Sequence, residues 1–180
     1  KLEVSNKVLI PRPETELIIE IVLEKFKDTK KKITFADLGT GSGAIGIALA
    51  LANPLWNGVA TDIDKNAIKI ATRNFINHSD KSNLKFYYGS WWDPLKNLKG
   101  EIDLAIANPP YIPKDIYKKL PIEVRKYEPK IALLGGDDGL DHIKEIVKYA
   151  PFFLKDKGFL LIENHFDQGN IVKKLFLENG

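Results

Sequence analysis

The chain has 180 residues, enough for one domain with a sizeable core. An apolar share of 44% and a charged share of 28% place it among globular chains rather than disordered ones, and no apolar run is long enough to span a bilayer. Twenty-seven basic against 24 acidic residues leave a net charge of +3, too small a surplus to argue for nucleic acid, and the lack of cysteine removes disulfides and thiol ligands.

Pro11-Arg12-Pro13 is a stiff lead into a helix, because Pro13 suits the first helical turn and Glu14 and Glu16 suit its positive end. Leu17, Ile18, Ile21, Val22 and Lys25 continue at helical spacing. Lys30-Lys31-Lys32 reads as a solvated loop. Beyond it, short apolar runs alternate with amphipathic stretches. Strands are predicted over 33–38, 58–62, 84–88, 102–107 and 158–163, and helices over 43–51, 65–77, 140–150 and 170–178. Such alternation predicts an α/β fold, a mostly parallel sheet with helices on both faces. Ligands of these sheets bind beyond the carboxyl ends of the strands.

Two segments fall there. The first predicted strand ends in Asp37-Leu38 and runs into Gly39-Thr40-Gly41-Ser42-Gly43. Glycines let the backbone turn sharply and approach a ligand, and amides opening a helix favour a negative group. Packing alone is the plain alternative. Gly41-x-Gly43-x-x-Gly46 matches the dinucleotide fingerprint literally, so the loop does not separate a nicotinamide cofactor from S-adenosylmethionine. Asp62 closes the second strand about twenty residues on, where a carboxylate would take ribose hydroxyls of either. Asp64 competes for that role, with a helix cap as its plainer job.

Asn108-Pro109-Pro110-Tyr111, at the end of the fourth strand, breaks the tie. Consecutive prolines stiffen the backbone and delete two N–H donors. The Pro109 carbonyl and the Asn108 amide oxygen are two acceptors a short distance apart, able to hold both hydrogens of a planar –NH2 group. Tyr111 can lie against that plane, leaving the nitrogen lone pair aimed at an electrophile. Hydride transfer has no use for such a geometry; methyl transfer to an amide or an exocyclic amine does.

The glycine loop and the tetrad together resemble class I amino-methyltransferases, which modify adenine, cytosine or glutamine nitrogens. Ile10-Pro11-Arg12-Pro13-Glu14-Thr15-Glu16, Tyr127-Glu128-Pro129 and Ala132-Leu133-x-Gly135-Gly136-x-Asp138-Gly139-Leu140 narrow the resemblance to the HemK/PrmC family. Its members methylate the side-chain nitrogen of the glutamine in the Gly-Gly-Gln motif of peptide chain release factors. The resemblance implies a Rossmann-like, doubly wound fold with S-adenosylmethionine as methyl donor and S-adenosylhomocysteine as product. By position, Gly39, Thr40, Gly41, Ser42 and Gly43 would wrap the methionine part of the donor, with Asp37 also among the cofactor-binding residues. Asp62 would hold its ribose and Trp91 would lie beside its adenine; Trp92 is adjacent and could be confused with it, and whichever of the two faces the sheet reads as an outer core aromatic. Asn108 would face both donor and substrate, with Pro109, Pro110 and Tyr111 completing the clamp.

The implied reaction is direct displacement, in which most of the gain is orientation, because a carboxamide nitrogen is a poor nucleophile. His142 and Glu128 read as helix surface and turn rather than as a base, and no metal site is expected. The family shows Glu-Ile-Gly after its fifth strand where this chain has Glu163-Asn164-His165, and His165 receives no role. Methionine is absent, so the expectation is a catalytic domain spanning 1–180, cut at both ends and lacking the family's helical N-terminal domain. The remaining expectations are a cytoplasmic monomer with a release factor as protein substrate, no membrane contact and no direct nucleic-acid binding. Adenine-N6 methylation of DNA or RNA fits the same clamp and is the alternative. A nicotinamide-dependent dehydrogenase would need a pyrophosphate site and a substrate domain, of which only the first is arguable here, and the intact tetrad speaks against a non-catalytic binding module.

Overall fold

The computed structural model describes residues 2–4, 8–9, 13–27 and 31–180. Residues 10–12 of the proline-rich lead and Lys30 lie outside these, and of Pro13 and Glu14 only the backbone is described. Five strands form one parallel sheet: β1 (Thr34–Leu38), β2 (Asn57–Asp62), β3 (Leu84–Tyr88), β4 (Ile102–Ala107) and β5 (Leu154–Ile162). Their spatial order is β3-β2-β1-β4-β5. The chain winds outward from β1 to β3, then returns to place β4 on the other side of β1. That reversal opens a crevice at the carboxyl ends of β1 and β4.

Three helices cover one face: α1 (Pro13–Lys25), α2 (Ala44–Ala52) and α3 (Lys65–His78). They bury Ile18, Val22, Ile45, Leu49 and Phe75 against Phe35, Ala60, Leu104 and Ile106 of the sheet. A 3-10 turn at Asp93–Leu98 and, after the short helices α4 (Lys114–Tyr117) and α5 (Ile122–Tyr127), helix α6 (Asp141–Phe153) cover the other. Here Leu95, Ile146, Ala150 and Phe153 meet Ala36, Leu38, Ala105 and Ala107. Helix α7 (Gly169–Asn179) packs on α6 through Val172. No helix among the described residues is long and apolar enough to cross a membrane.

Agreement with the predicted elements is close. In α1 the spacing is helical, but only one stripe is buried: Ile18 and Val22 face the core while Leu17 and Ile21 look outward. Lys31 and Lys32 are exposed, as a solvated loop requires. β5 begins at Leu154, four residues ahead of the prediction, because the polar Lys155-Asp156-Lys157 run reads as a turn. It is a bulge: the register shifts between Ile102 and Leu104, Lys157 takes φ +62°, and the Lys155 ammonium reaches Asp103 at 2.9 and 3.0 Å. α6 continues three residues past its predicted end at residue 150, through Pro151, and Phe153 stacks on Trp92 with ring centroids 4.9 Å apart.

Candidate functional site

All five strands deliver something to the same end of the sheet. After β1 the chain turns through Gly39, Gly41 and Gly43, with φ +74°, +57° and +87°, values that L side chains rarely adopt. Gly39 and Thr40 N–H both donate to the Thr61 carbonyl of β2 at 2.9 Å. A Cβ on Gly39 would lie 2.8 Å from the Trp91 ring, so glycine is what lets the indole lie on the loop. Trp91 itself has φ +37°, and its carbonyl accepts from the Thr61 hydroxyl at 2.8 Å.

Two carboxylates brace this loop. Asp37 is 1% exposed, and its Oδ2 accepts from the Thr40 hydroxyl (2.6 Å) and the Gly46 N–H (2.9 Å). Burial pushes its carboxyl up to about 6, against the pull of those two bonds and with the help of nearby Asp62. Asp62 accepts the Gly41 N–H on Oδ2 (2.9 Å) and the Asp64 N–H on Oδ1 (2.8 Å), and burial raises it as well. Asp64 caps α3, accepting the Asn66 N–H at 2.8 Å. From the far side, buried Asn74 donates to the carbonyls of Ser42 and Glu3, each at 2.9 Å, and so ties the loop to the chain ahead of α1.

A cavity of about 370 Å³ opens over the loop, within the range of small-molecule sites. Asp37, Gly39, Thr40, Gly41, Ser42, Asp62, Trp91, Asn108 and Pro110 all line it, so most of the predicted site residues share one space. Gly43, Pro109 and Tyr111 do not. A Cβ on Gly43 would sit 2.7 Å from Ile47 Cδ1 and 3.1 Å from Ala71 Cβ, so that glycine serves close packing of α2 on α3. Pro109 is buried in the turn. Tyr111 stands beside the cavity, its phenol donating to Glu163 Oε1 at 3.1 Å. Trp92 packs in the core, and its indole N–H donates to the Ile146 carbonyl at 3.1 Å.

Several lining residues were not anticipated. Val8, Leu9 and Thr15 are among them, with Ala44, Ile45, Ile63, Ala67, Ser90, Ile131, Ala132 and Glu145, while Asp64, the competing candidate beside Asp62, lines the cavity as well. Ile63 did carry a signal: an apolar residue directly after the strand-end Asp62, left 52% exposed. His142, read as helix surface, also lines the cavity, with its ring 5.5 Å from that of Trp91. Glu128 is half-buried and does not line it. His165 pairs with Asp167 at 2.6 Å and lies outside the wall.

Comparison with known proteins gives this arrangement a family. Residues 15–119 match the family model of the methyltransferase small domain. The chain belongs to the methyltransferase small domain family. The matched span runs from α1 through β4 into α4, and so contains the glycine loop, Asp62, Trp91 and the tetrad. The chain is 44% identical to a release factor glutamine methyltransferase of Prochlorococcus marinus, the match covering 100% of this chain and 62% of that protein. It is 40% identical to the protein of that name in Synechocystis (99% and 61% covered) and 42% to the one in Coxiella burnetii (99% and 62% covered). It thus spans about six-tenths the length of these curated relatives. Among solved structures, the hMettl16 catalytic domain superposes with a TM-score of 0.73 at 18% identity, covering 100% of this chain and 67% of that one. A methyltransferase from Pyrococcus furiosus does so with 0.64 at 20% identity, covering 98% and 76%. At these identities the likeness is one of fold.

Proposed function

We propose that this methyltransferase domain transfers a methyl group from S-adenosylmethionine to the side-chain nitrogen of the glutamine in the Gly-Gly-Gln motif of a peptide chain release factor, in the cytoplasm. The observation that carries the reading is one shared cavity at the β1–β4 reversal. The glycine loop, Asp62 and Trp91 line it together with Asn108 and Pro110. The choice of a release factor rests on the 40–44% identity to curated release factor glutamine methyltransferases along nearly all of this chain.

The donor set suits S-adenosylmethionine. Two carboxyls, Asp37 and Asp62, are held up by burial at the cavity wall, and a cationic ligand would stabilise their charged forms. Bound there, S-adenosylmethionine would supply an electrophilic methyl group. Gly39 to Ser42 present backbone to it, Asp62 offers its oxygens to ribose hydroxyls, and Trp91 and Ile63 offer apolar surface to a purine. The chain's own work on the acceptor is to bind and orient. Asn108 accepts one N–H of the planar carboxamide, and the turn of Pro109 and Pro110 keeps the neighbouring backbone rigid. Holding the amide by its hydrogens draws electron density onto nitrogen and restricts its approach, and orientation of this kind supplies most of such an acceleration. Residues 1–180 are, on this reading, the donor-binding catalytic domain.

The test is to incubate the protein with methyl-labelled S-adenosylmethionine and, separately, a release factor and an adenine-containing oligonucleotide. Label in the release factor's glutamine is expected; label in the oligonucleotide alone overturns the reading. Asn108→Ala is expected to bind S-adenosylhomocysteine while losing transfer by on the order of a hundredfold or more. Undiminished transfer in that variant would remove Asn108 from the clamp.

A further inference from the structure

One buried side chain joins three segments that lie far apart in sequence. Gln168 precedes the first turn of α7 and is 5% exposed. Its Nε2 donates to the carbonyl of Tyr111 at 3.1 Å and to that of Gly139 at 3.3 Å. Its Oε1 accepts the His165 N–H at 3.0 Å, and its own N–H returns a bond to the His165 carbonyl at 3.0 Å. A carboxamide carries two donor hydrogens and an acceptor, so one residue can serve all three partners.

The segment around Gly139 lies directly under the tetrad. A Cβ on Gly135 would come 2.7 Å from the Pro110 carbonyl and 2.8 Å from Tyr111 Cα. One on Gly139 would strike the Tyr111 carbonyl oxygen and stand 2.7 Å from Gln168 Nε2. Ile112 and Gly135 exchange the same closeness in backbone bonds: Ile112 N–H to Leu133 O and Gly135 N–H to Ile112 O, both 2.9 Å. The loop that carries Gln168 reaches Tyr111 a second time, since Glu163 Oε1 takes the phenol hydrogen and the Glu163 N–H donates to the Ala107 carbonyl at 3.0 Å.

We propose that Gln168 is the positioning residue of the acceptor clamp: it holds the Tyr111 backbone through its carbonyl while Glu163 holds the ring through its hydroxyl. The inference rests on the reading of Asn108 to Tyr111 as the methyl-acceptor site. Gln168, Glu163 and Tyr111 all stand outside the cavity wall, so Gln168 and Glu163 act on the clamp through the backbone that Tyr111 shares with Asn108 and Pro110, which do line it. Without the Gln168 amide, the carbonyls of Tyr111 and of buried Gly139 would lose that donor, and the tetrad would shift to relieve them. A displacement of about 1 Å in a substrate-orienting group costs on the order of a hundredfold in rate.

The experiment uses 3-fluorotyrosine-labelled protein, with Tyr111→Phe identifying one fluorine resonance among the six tyrosines. Gln168→Met keeps the volume and loses both donors; Gln168→Glu, which keeps the acceptor for His165, stands in if that variant does not fold. Either is expected to move and broaden the Tyr111 resonance alone. Either is also expected to lower kcat for release-factor methylation by roughly 10- to 100-fold while leaving S-adenosylhomocysteine affinity unchanged. Glu163→Leu is expected to act the same way and Glu163→Gln, which keeps an acceptor, to restore both readouts. An unmoved Tyr111 resonance in the Gln168 variants overturns the proposal, and so does loss of cofactor affinity in step with transfer. If the unaltered protein methylates no release factor, the substrate reading falls, and the fluorine comparison still decides whether Gln168 holds Tyr111.

Discussion

Asp37 stands both on the cavity wall and within the bonding of the glycine loop, and it was legible as a site residue by its family position. Its Oδ2 accepts from Thr40 of the loop and from Gly46 of α2. A burial-raised carboxyl has a defined sign. With its ordinary value of 3.8 lifted to about 6, the folded protein holds the proton more tightly than the unfolded chain does. Its contribution to stability is therefore whole below about pH 4 and is lost as the pH rises through 6, a difference of about 3 kcal/mol at neutrality. Asp37→Asn can keep both hydrogen bonds on one oxygen and cannot ionise. Urea unfolding of the two proteins is expected to show the unaltered one losing ground to the variant between pH 4 and 7; a constant difference would mean that Asp37 does not titrate in that window. The neighbouring tryptophans illustrate the limit of residue reading. Trp91 and Trp92 are adjacent, and only position in the family pattern sent the first to the cavity. The structure agrees, because a positive φ at Trp91 turns its ring onto Gly39 while Trp92 stacks on Phe153.

At the scale of elements, strand and helix positions were readable because hydrophobic runs and periodicity mark them directly. The exceptions were places where a distant partner overrides a local signal. Asp103 recruits Lys155 into β5, and Trp92 stacks on Phe153 at the end of α6. The stretch between the tetrad and α6 was the least legible. Its short helices, α4 and α5, bury none of their residues fully and so leave no periodic stripe. The glycine run that follows was recognisable only as a family pattern; the approach to the tetrad is the physical reason for Gly135 and Gly139, whereas Gly136 makes room for the Asp141 carboxylate. That approach predicts the outcome of Gly139→Ala. Gly139 has φ +78° and no room for a Cβ beside the Tyr111 carbonyl and Gln168. The substitution is expected to lower unfolding stability by roughly 2–4 kcal/mol, from overpacking and left-handed strain together. Gly100→Ala, also at positive φ (+69°) but with nothing within 4 Å of its Cβ, supplies the strain-only comparison. Equal losses in the two variants would sink the packing argument.

For the molecule as a whole, the order β3-β2-β1-β4-β5 followed from strand–helix alternation only as a class of fold. The location of the crevice came with the class, since reversal of strand order and ligand position are linked. What alternation could not supply was the wall made by Val8, Leu9 and Thr15, which comes from chain ahead of the sheet. The reversal also has a consequence in time. β1 and β4 lie side by side, with Phe35 opposite Leu104 and Leu38 opposite Ala107, although more than sixty residues separate them along the chain. Closing a loop of that size is slow compared with forming a helix. The glycine loop and the tetrad sit on opposite sides of that seam, so neither half of the cavity can meet the other until it has zipped. In refolding from urea, helical circular dichroism is therefore expected to return first, and the capacity to bind S-adenosylhomocysteine only with the slowest phase. Binding that recovered together with the helices would place the seam early. Otherwise, ligand binding serves as a clock for the last long-range step of folding.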